Sequence, residues 1–184
     1  MNFQDSKKKQ FEREDLSNEG GWDKHILRLC NKINLKKEHY TTSSCAGRVV
    51  LIKALKEKAE DVFLFKCHER IEVEQLKNAL TSVKYPGLVY FKQETCILHV
   101  ACSTMDSARV LLNKAKFAGW KRSGIIASGK RIILELMSTE KMELPIADNR
   151  KLLVDEGYLK LLVREANSRL VRVWEKIEKL EKLI

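Results

Sequence analysis

The residues Tyr40 to Arg48, YTTSSCAGR, hold the densest concentration of binding chemistry in the chain. Thr41, Thr42, Ser43 and Ser44 bring hydroxyls, Gly47 permits close backbone approach, and Arg48 adds a planar cation. Read as a loop, the segment exposes backbone N–H groups, hydroxyls and a guanidinium. These are the groups that hold a carboxylate, a phosphate or a ribose. The plainer alternative is a polar loop leading into a strand, and the density of hydroxyls favours binding.

The histidines come next. His68 follows Lys66-Cys67 at the end of an apolar run, where sites in sheets tend to lie, so it is a candidate base or ligand binder. His99 sits inside CILHVAC and reads either as a hydrogen-bonded core residue or as a contact to a ligand. His25 and His39 have no special context. In AGWKRSGI, Lys121 and Arg122 precede Ser123-Gly124. Two cations beside a small polar turn suit a phosphate, and equally suit a helix C-terminus closed by Gly119.

Several chemistries find no support. There is no G-x-G-x-x-G or G-x-x-x-x-G-K-[ST] phosphate loop, no H-E-x-x-H and no serine elbow. Five cysteines form an odd set without C-x-x-C, so neither a disulfide framework nor a zinc site is expected. The thiols read as reduced and the protein as cytoplasmic. No apolar run approaches a membrane span, and the polar N-terminus does not read as a signal peptide.

These residues need a scaffold, and 184 residues with 44% hydrophobic content can supply one core. Residues 1–20 read as a charged N-terminal arm ending at Gly20-Gly21, and 21–184 as a single domain. Trp22, Ile26, Leu29, Cys30 and Ile33 recur at helical spacing, with Asp23 placed to favour the helix start. Strands are expected at 48–53, 62–67, 88–91 and 96–102, with helices at 73–80 and 106–118. A hairpin over 123–137 turns at Ser128-Gly129-Lys130, and a short edge strand at 142–146 contains Pro145. Two strand-helix-strand units in succession make a weak pseudo-repeat. Residues 155–184 read as one long helix whose Val163, Ala166, Leu170, Val173, Ile177, Leu180 and Ile184 step by three and four. That stripe is either packed on its own domain or left for a partner. The expected class is α+β with a mixed, barrel-like sheet, and not a doubly wound nucleotide-binding fold.

The formal net charge is +10. Residues 1–20 carry −1 and 155–184 carry +1, so the excess lies within 21–154, on the expected folded core. A basic folded surface attracts nucleic acid.

YTTSSCAGR, the histidine of FKCHE, ILHVAC, AGWKRSGI and LLVDEGYLKLLVREAN, in that order, resemble the wybutosine-synthesising protein 3 family, over about Phe11 to Asn167. The resemblance implies an S-adenosylmethionine-dependent methyltransferase domain. Its expected activity is N4-methylation of a 4-demethylwyosine derivative next to the anticodon of tRNA(Phe). By the same resemblance His68 is the expected proton acceptor, with Asp23 as its alternate or orienter. Ser43, Ser44, Gly47 and Arg48 are expected to bind the cofactor, and Thr41, His99, Lys121, Arg122 and Ser123 the substrate. No metal and no membrane are implied. This chain departs from the family pattern at Phe65 to Glu69, which lacks a tryptophan and has Glu for Asp, and at Ser103, where members frequently carry Arg. The rival readings are a non-catalytic basic RNA-binding module and a scaffold acting through the C-terminal heptads.

Overall fold

The computed structural model describes residues 2–12, 23–55 and 62–184. Its strands pair only antiparallel and divide between a four-stranded and a five-stranded sheet. Two compact units result. The first comprises residues 1–46, 96–139 and 174–184, and the second comprises 47–95 and 140–173.

In the first unit, helix α1 (Phe3–Phe11) begins with a capping box in which Asn2 and Asp5 each accept from the other's backbone N–H. The Phe3 ring meets Tyr40 at 5.1 Å, and Gln4 and Lys7 donate to the carbonyls of Lys37 and Lys36. Half of the expected arm is thus a docked helix. Residues 13–20, Gly21 and Trp22 lie outside the described residues. Helix α2 (Lys24–Leu35) starts at its Asp23 cap and buries the expected stripe of Ile26, Leu29, Cys30 and Ile33.

The expectation of a loop at 40–48 is corrected. His39–Cys45 is strand β1, paired with β5 (Ile97–Cys102), and β2 begins at Arg48. Most of the backbone N–H groups read as exposed donors belong to a ladder, and its β-branched threonines suit a pleated strand. A bulge falls between Thr41 and Ser43. Beyond β5 come β7 (Ile132–Met137) and β6 (Gly124–Ser128), giving the order β1-β5-β7-β6. Between β5 and β6 the chain forms α4 (Met105–Phe117), capped by Thr104 and buried through Ala108, Leu111 and Ala115. Gly119 follows at φ +98°, the left-handed conformation that ends helices. The indole of fully buried Trp120 donates to the Lys176 carbonyl at 3.0 Å.

In the second unit, β2 (Arg48–Lys53) buries Val49, Val50 and Leu51 in succession, the mark of a strand covered on both faces. It is flanked by β3 (Phe63–Cys67) and β4 (Val89–Glu94). Strand β4 alternates, with Val89, Phe91 and Gln93 buried. Then come β8 (Met142–Asp148) and the two-residue β9 (Lys151–Leu152). Strand β8 is therefore not an edge along its whole length. Strand β9 pairs only with Ala147 and Asp148, which leaves Pro145, without an N–H, beyond its reach. Helix α3 (Val73–Thr81) lies between β3 and β4 in sequence.

The pseudo-repeat is real in topology. The strands flanking α3 both run antiparallel to β2, which lies between them, and the strands flanking α4 both run antiparallel to β7. Each unit is a split βαβ with one strand inserted. Helix α5 (Glu156–Leu183) gives residues to both units. Val163, Ala166, Leu170, Val173, Ile177 and Leu180 are all buried, so the heptad stripe is core and not an open partner face.

Candidate active-site residues

The residues singled out from sequence divide between the two units. In the first, Asp23 is the N-cap of α2. Its Oδ1 accepts from the His25 N–H at 3.3 Å, and its Oδ2 accepts from the Ala46 N–H at 2.8 Å. One carboxylate thereby fixes a helix start and the end of the hydroxyl-rich segment.

Along β1, the hydroxyls separate by face. Thr41 is buried, and it exchanges hydrogen bonds with Asn34 through its backbone N–H (2.8 Å) and its Oγ1, which accepts from Asn34 Nδ2 at 3.0 Å. Its hydroxyl holds α2 to β1. Thr42 reaches toward the His99 carbonyl. Ser44 hydrogen-bonds the buried Cys30 thiol, whose pKa burial pushes up to about 11 against that bond. Ser43 is exposed and lies across from His99, which lies across from Glu135. Ser43 Oγ is 2.7 Å from His99 Nδ1, and His99 Nε2 is 2.9 Å from Glu135 Oε2. His99 is thus neither a core residue nor isolated.

Lys121 and Arg122 are exposed at the turn after α4. The Ser123 hydroxyl donates to the Trp120 carbonyl at 2.6 Å and accepts from the Met137 N–H at 3.0 Å, so it clamps that turn. Ser103 lines a cleft of about 570 Å³ with Lys130 and Arg131. Two cations therefore stand in the neighbourhood of Ser103, where the resemblance leads one to expect an arginine.

In the second unit, Gly47 has φ +95°, and a Cβ there would lie 2.9 Å from the Glu94 carbonyl oxygen. The close approach it allows is to the protein's own backbone. Arg48 Nε donates to Glu94 Oε2 at 2.6 Å, and its guanidinium lies 5.0 Å from the Phe63 ring centroid. That pair leaves the terminal nitrogens of the fork as the donors a ligand could meet. His68 follows β3 and is half-buried. The segment after it is pinned at Ile71, whose N–H donates to Asn167 Oδ1 (2.9 Å) and whose carbonyl accepts from Asn167 Nδ2 (2.8 Å).

Glu135, Glu94, Asn34 and Asn167 were not singled out from sequence. Glu135 left a faint trace, a carboxylate alternating with the buried Leu134 and Leu136. Its partner across the sheet is a matter of register, which alternation does not report.

The chain belongs to a methyltransferase family: the Methyltransferase TYW3 model matches residues 4–184. A tRNA(Phe) 7-((3-amino-3-carboxypropyl)-4-demethylwyosine(37)-N(4))-methyltransferase of Thermococcus sibiricus is 37% identical over 98% of this chain and 93% of its own length. The tRNA wybutosine-synthesizing protein 3 homolog of Danio rerio is 31% identical over 96% of this chain and 72% of its own. Among solved structures, the PH1069 protein of Pyrococcus horikoshii has a TM-score of 0.90 at 32% identity, covering 98% of this chain and 93% of that one. Among the described residues no helix is long and apolar enough to cross a membrane.

Proposed function

We propose that this chain transfers a methyl group from S-adenosyl-L-methionine to N4 of a 4-demethylwyosine-type base beside the anticodon of tRNA(Phe). The observation that carries the reading is the near full-length match to relatives named for N4-methylation of this base. The methyl donor, when bound, supplies an already activated methyl group, so the protein's task is placement and water exclusion.

The residues present suit such a donor. Its methionyl end needs hydroxyl and cationic partners, and Ser43 is exposed while Arg48 keeps donors beyond the Glu94 pair. Ser43, Ser44, Gly47 and Arg48 are proposed to hold it. Gly47 acts indirectly, by letting the segment turn against the Glu94 carbonyl. His68 is proposed to accept the proton shed by the methylated nitrogen. Asp23 is proposed to orient, in line with its hold on the Ala46 N–H. The tRNA partner is proposed to meet Lys121 and Arg122, joined by Lys130 and Arg131. His99 is proposed to act on substrate, Thr41 and Ser123 to shape the surfaces around them. Five cysteines, none of them in a disulfide, suit a cytoplasmic setting.

The deciding experiment combines calorimetry with S-adenosyl-L-homocysteine and a methylation assay on tRNA(Phe) carrying the demethylated base. Binding and turnover are expected. Binding of tRNA without either would favour the non-catalytic RNA-binding module.

A further inference from the structure

We propose that Ser43, His99 and Glu135 form a hydrogen-bond file that turns the Ser43 hydroxyl into an acceptor subsite for the α-ammonium of an amino-acid group. The proposal rests on the reading that Ser43 lines the ligand-binding surface.

The three residues stand directly opposite one another on β1, β5 and β7, so their side chains share one face of the sheet. The polarity of the file follows from its far end. An ionised Glu135 carboxylate can only accept, so His99 Nε2 must carry the proton of the 2.9 Å bond. The proposed file holds the imidazole neutral, which makes the other nitrogen, Nδ1, an acceptor. The 2.7 Å contact is therefore donated by the Ser43 O–H. A hydroxyl has one proton, and this one points inward along the file. What Ser43 presents outward is its lone pairs.

That arrangement selects among ligand groups. A carboxylate or phosphate would meet Ser43 lone pairs with a carboxylate behind them. An ammonium finds an acceptor already oriented and a negative charge two residues along the file. Ser43 therefore does not donate to the carboxylate of an amino-acid group. It receives the ammonium. Glu135 is the positioning residue, since it touches no ligand and acts by fixing the His99 tautomer.

Two ligands of the proposed reaction carry this group. One is the methionyl end of the methyl donor. The other is the 3-amino-3-carboxypropyl arm on the base named for the Thermococcus sibiricus relative.

The test uses the full chain with two variants, Ser43→Ala, which removes the acceptor, and Glu135→Met, which removes the tautomer lock. Nitrogen-15 NMR of labelled histidine at neutral pH is expected to find His99 as the Nε2–H tautomer, and a tautomer mixture in Glu135→Met. A wild-type Nδ1–H tautomer, or an imidazolium with both nitrogens protonated, overturns the proposal. Calorimetry then compares S-adenosyl-L-homocysteine with its deaminated analogue, and steady-state kinetics compares tRNA(Phe) with and without the aminocarboxypropyl arm. Both variants are expected to weaken the ammonium-bearing ligand about tenfold and leave its counterpart unchanged. Loss confined to S-adenosyl-L-homocysteine assigns the subsite to the donor, and loss confined to the armed tRNA, read in KM, assigns it to the substrate. An active enzyme whose variants discriminate neither pair overturns the subsite and leaves the proposed function standing. A wild-type chain that neither binds nor methylates removes the function, and the ammonium assignment falls with it.

Discussion

The α-carbon of Gly47 stands so close to the carbonyl oxygen of Glu94 that a methyl group on it would come within 2.9 Å. Its φ of +95° is one that other residues rarely adopt. The contact holds the start of β2, and with it Arg48, against the end of β4. Gly47→Ala must move that carbonyl or twist the backbone. The expected cost is about 1–3 kcal/mol of stability, together with weakened S-adenosyl-L-homocysteine binding, read by denaturant melts and calorimetry.

Asp23 separates structure from charge. Asp23→Ala loses the α2 cap and leaves the Ala46 N–H without that acceptor. It should cost about 1–2 kcal/mol. Asp23→Asn keeps one acceptor oxygen, so one of the two bonds survives while the other N–H faces the amide NH₂, and it should cost about 1 kcal/mol, less than the Ala variant. If the Asn variant is stable yet impaired in turnover, the negative charge matters to the reaction. Full activity in Asp23→Asn would remove Asp23 from the chemistry.

His68→Ala should lower turnover roughly 10²–10⁴-fold while S-adenosyl-L-homocysteine affinity changes less than about twofold. A rate near wild type removes His68 as proton acceptor. The comparison should be made beside Asn167→Ala, which frees both backbone groups of Ile71. That change is expected to cost about 2 kcal/mol. It reports how far the segment after His68 must be held.

Arg48→Lys preserves a positive charge but loses the planar fork that pairs with Glu94 and lies over Phe63. Binding of S-adenosyl-L-homocysteine should fall about tenfold. Equal affinity in the Lys variant would mean that a point charge suffices.

The buried thiols set an alkaline limit. Burial pushes Cys30 up to about 11 and Cys102 up to about 12 from an ordinary 9.0. The neutral thiol is the form the fold favours, so the contribution is intact below pH 9. Above that the unfolded chain releases the thiol protons first, and stability falls as pH rises toward 11 and 12. Denaturant midpoints between pH 8 and 10.5 should decline, and less steeply in Cys102→Ala. Native-state alkylation at pH 8 should spare both residues and modify the half-buried Cys67.

Much of the scaffold was legible because its signals are local. The β6–β7 hairpin announces itself through Ser128-Gly129-Lys130, α4 through apolar residues at helical spacing and Gly119, and α5 through a stripe that ends up buried. The family resemblance also lay in contiguous segments. The N-cap role of Asp23 was foreshadowed by its place before a helical pattern. Strand β1 was misread because hydroxyl density looks like a loop. What makes it a strand is pairing with β5, which lies more than fifty residues further along the chain.

The sequence by itself determined which chemical groups the chain can offer, where its helices and turns begin, and to which family it belongs. The tertiary structure alone decided what each group does. It turned the Thr41 hydroxyl inward to Asn34, set the Glu94 carbonyl against Gly47, and brought Glu135 beside His99 and His99 beside Ser43. The physical reason is that a hydrogen bond's direction depends on which donor and acceptor are brought face to face. Cross-strand register settles that between residues far apart in the chain, and no local pattern encodes it.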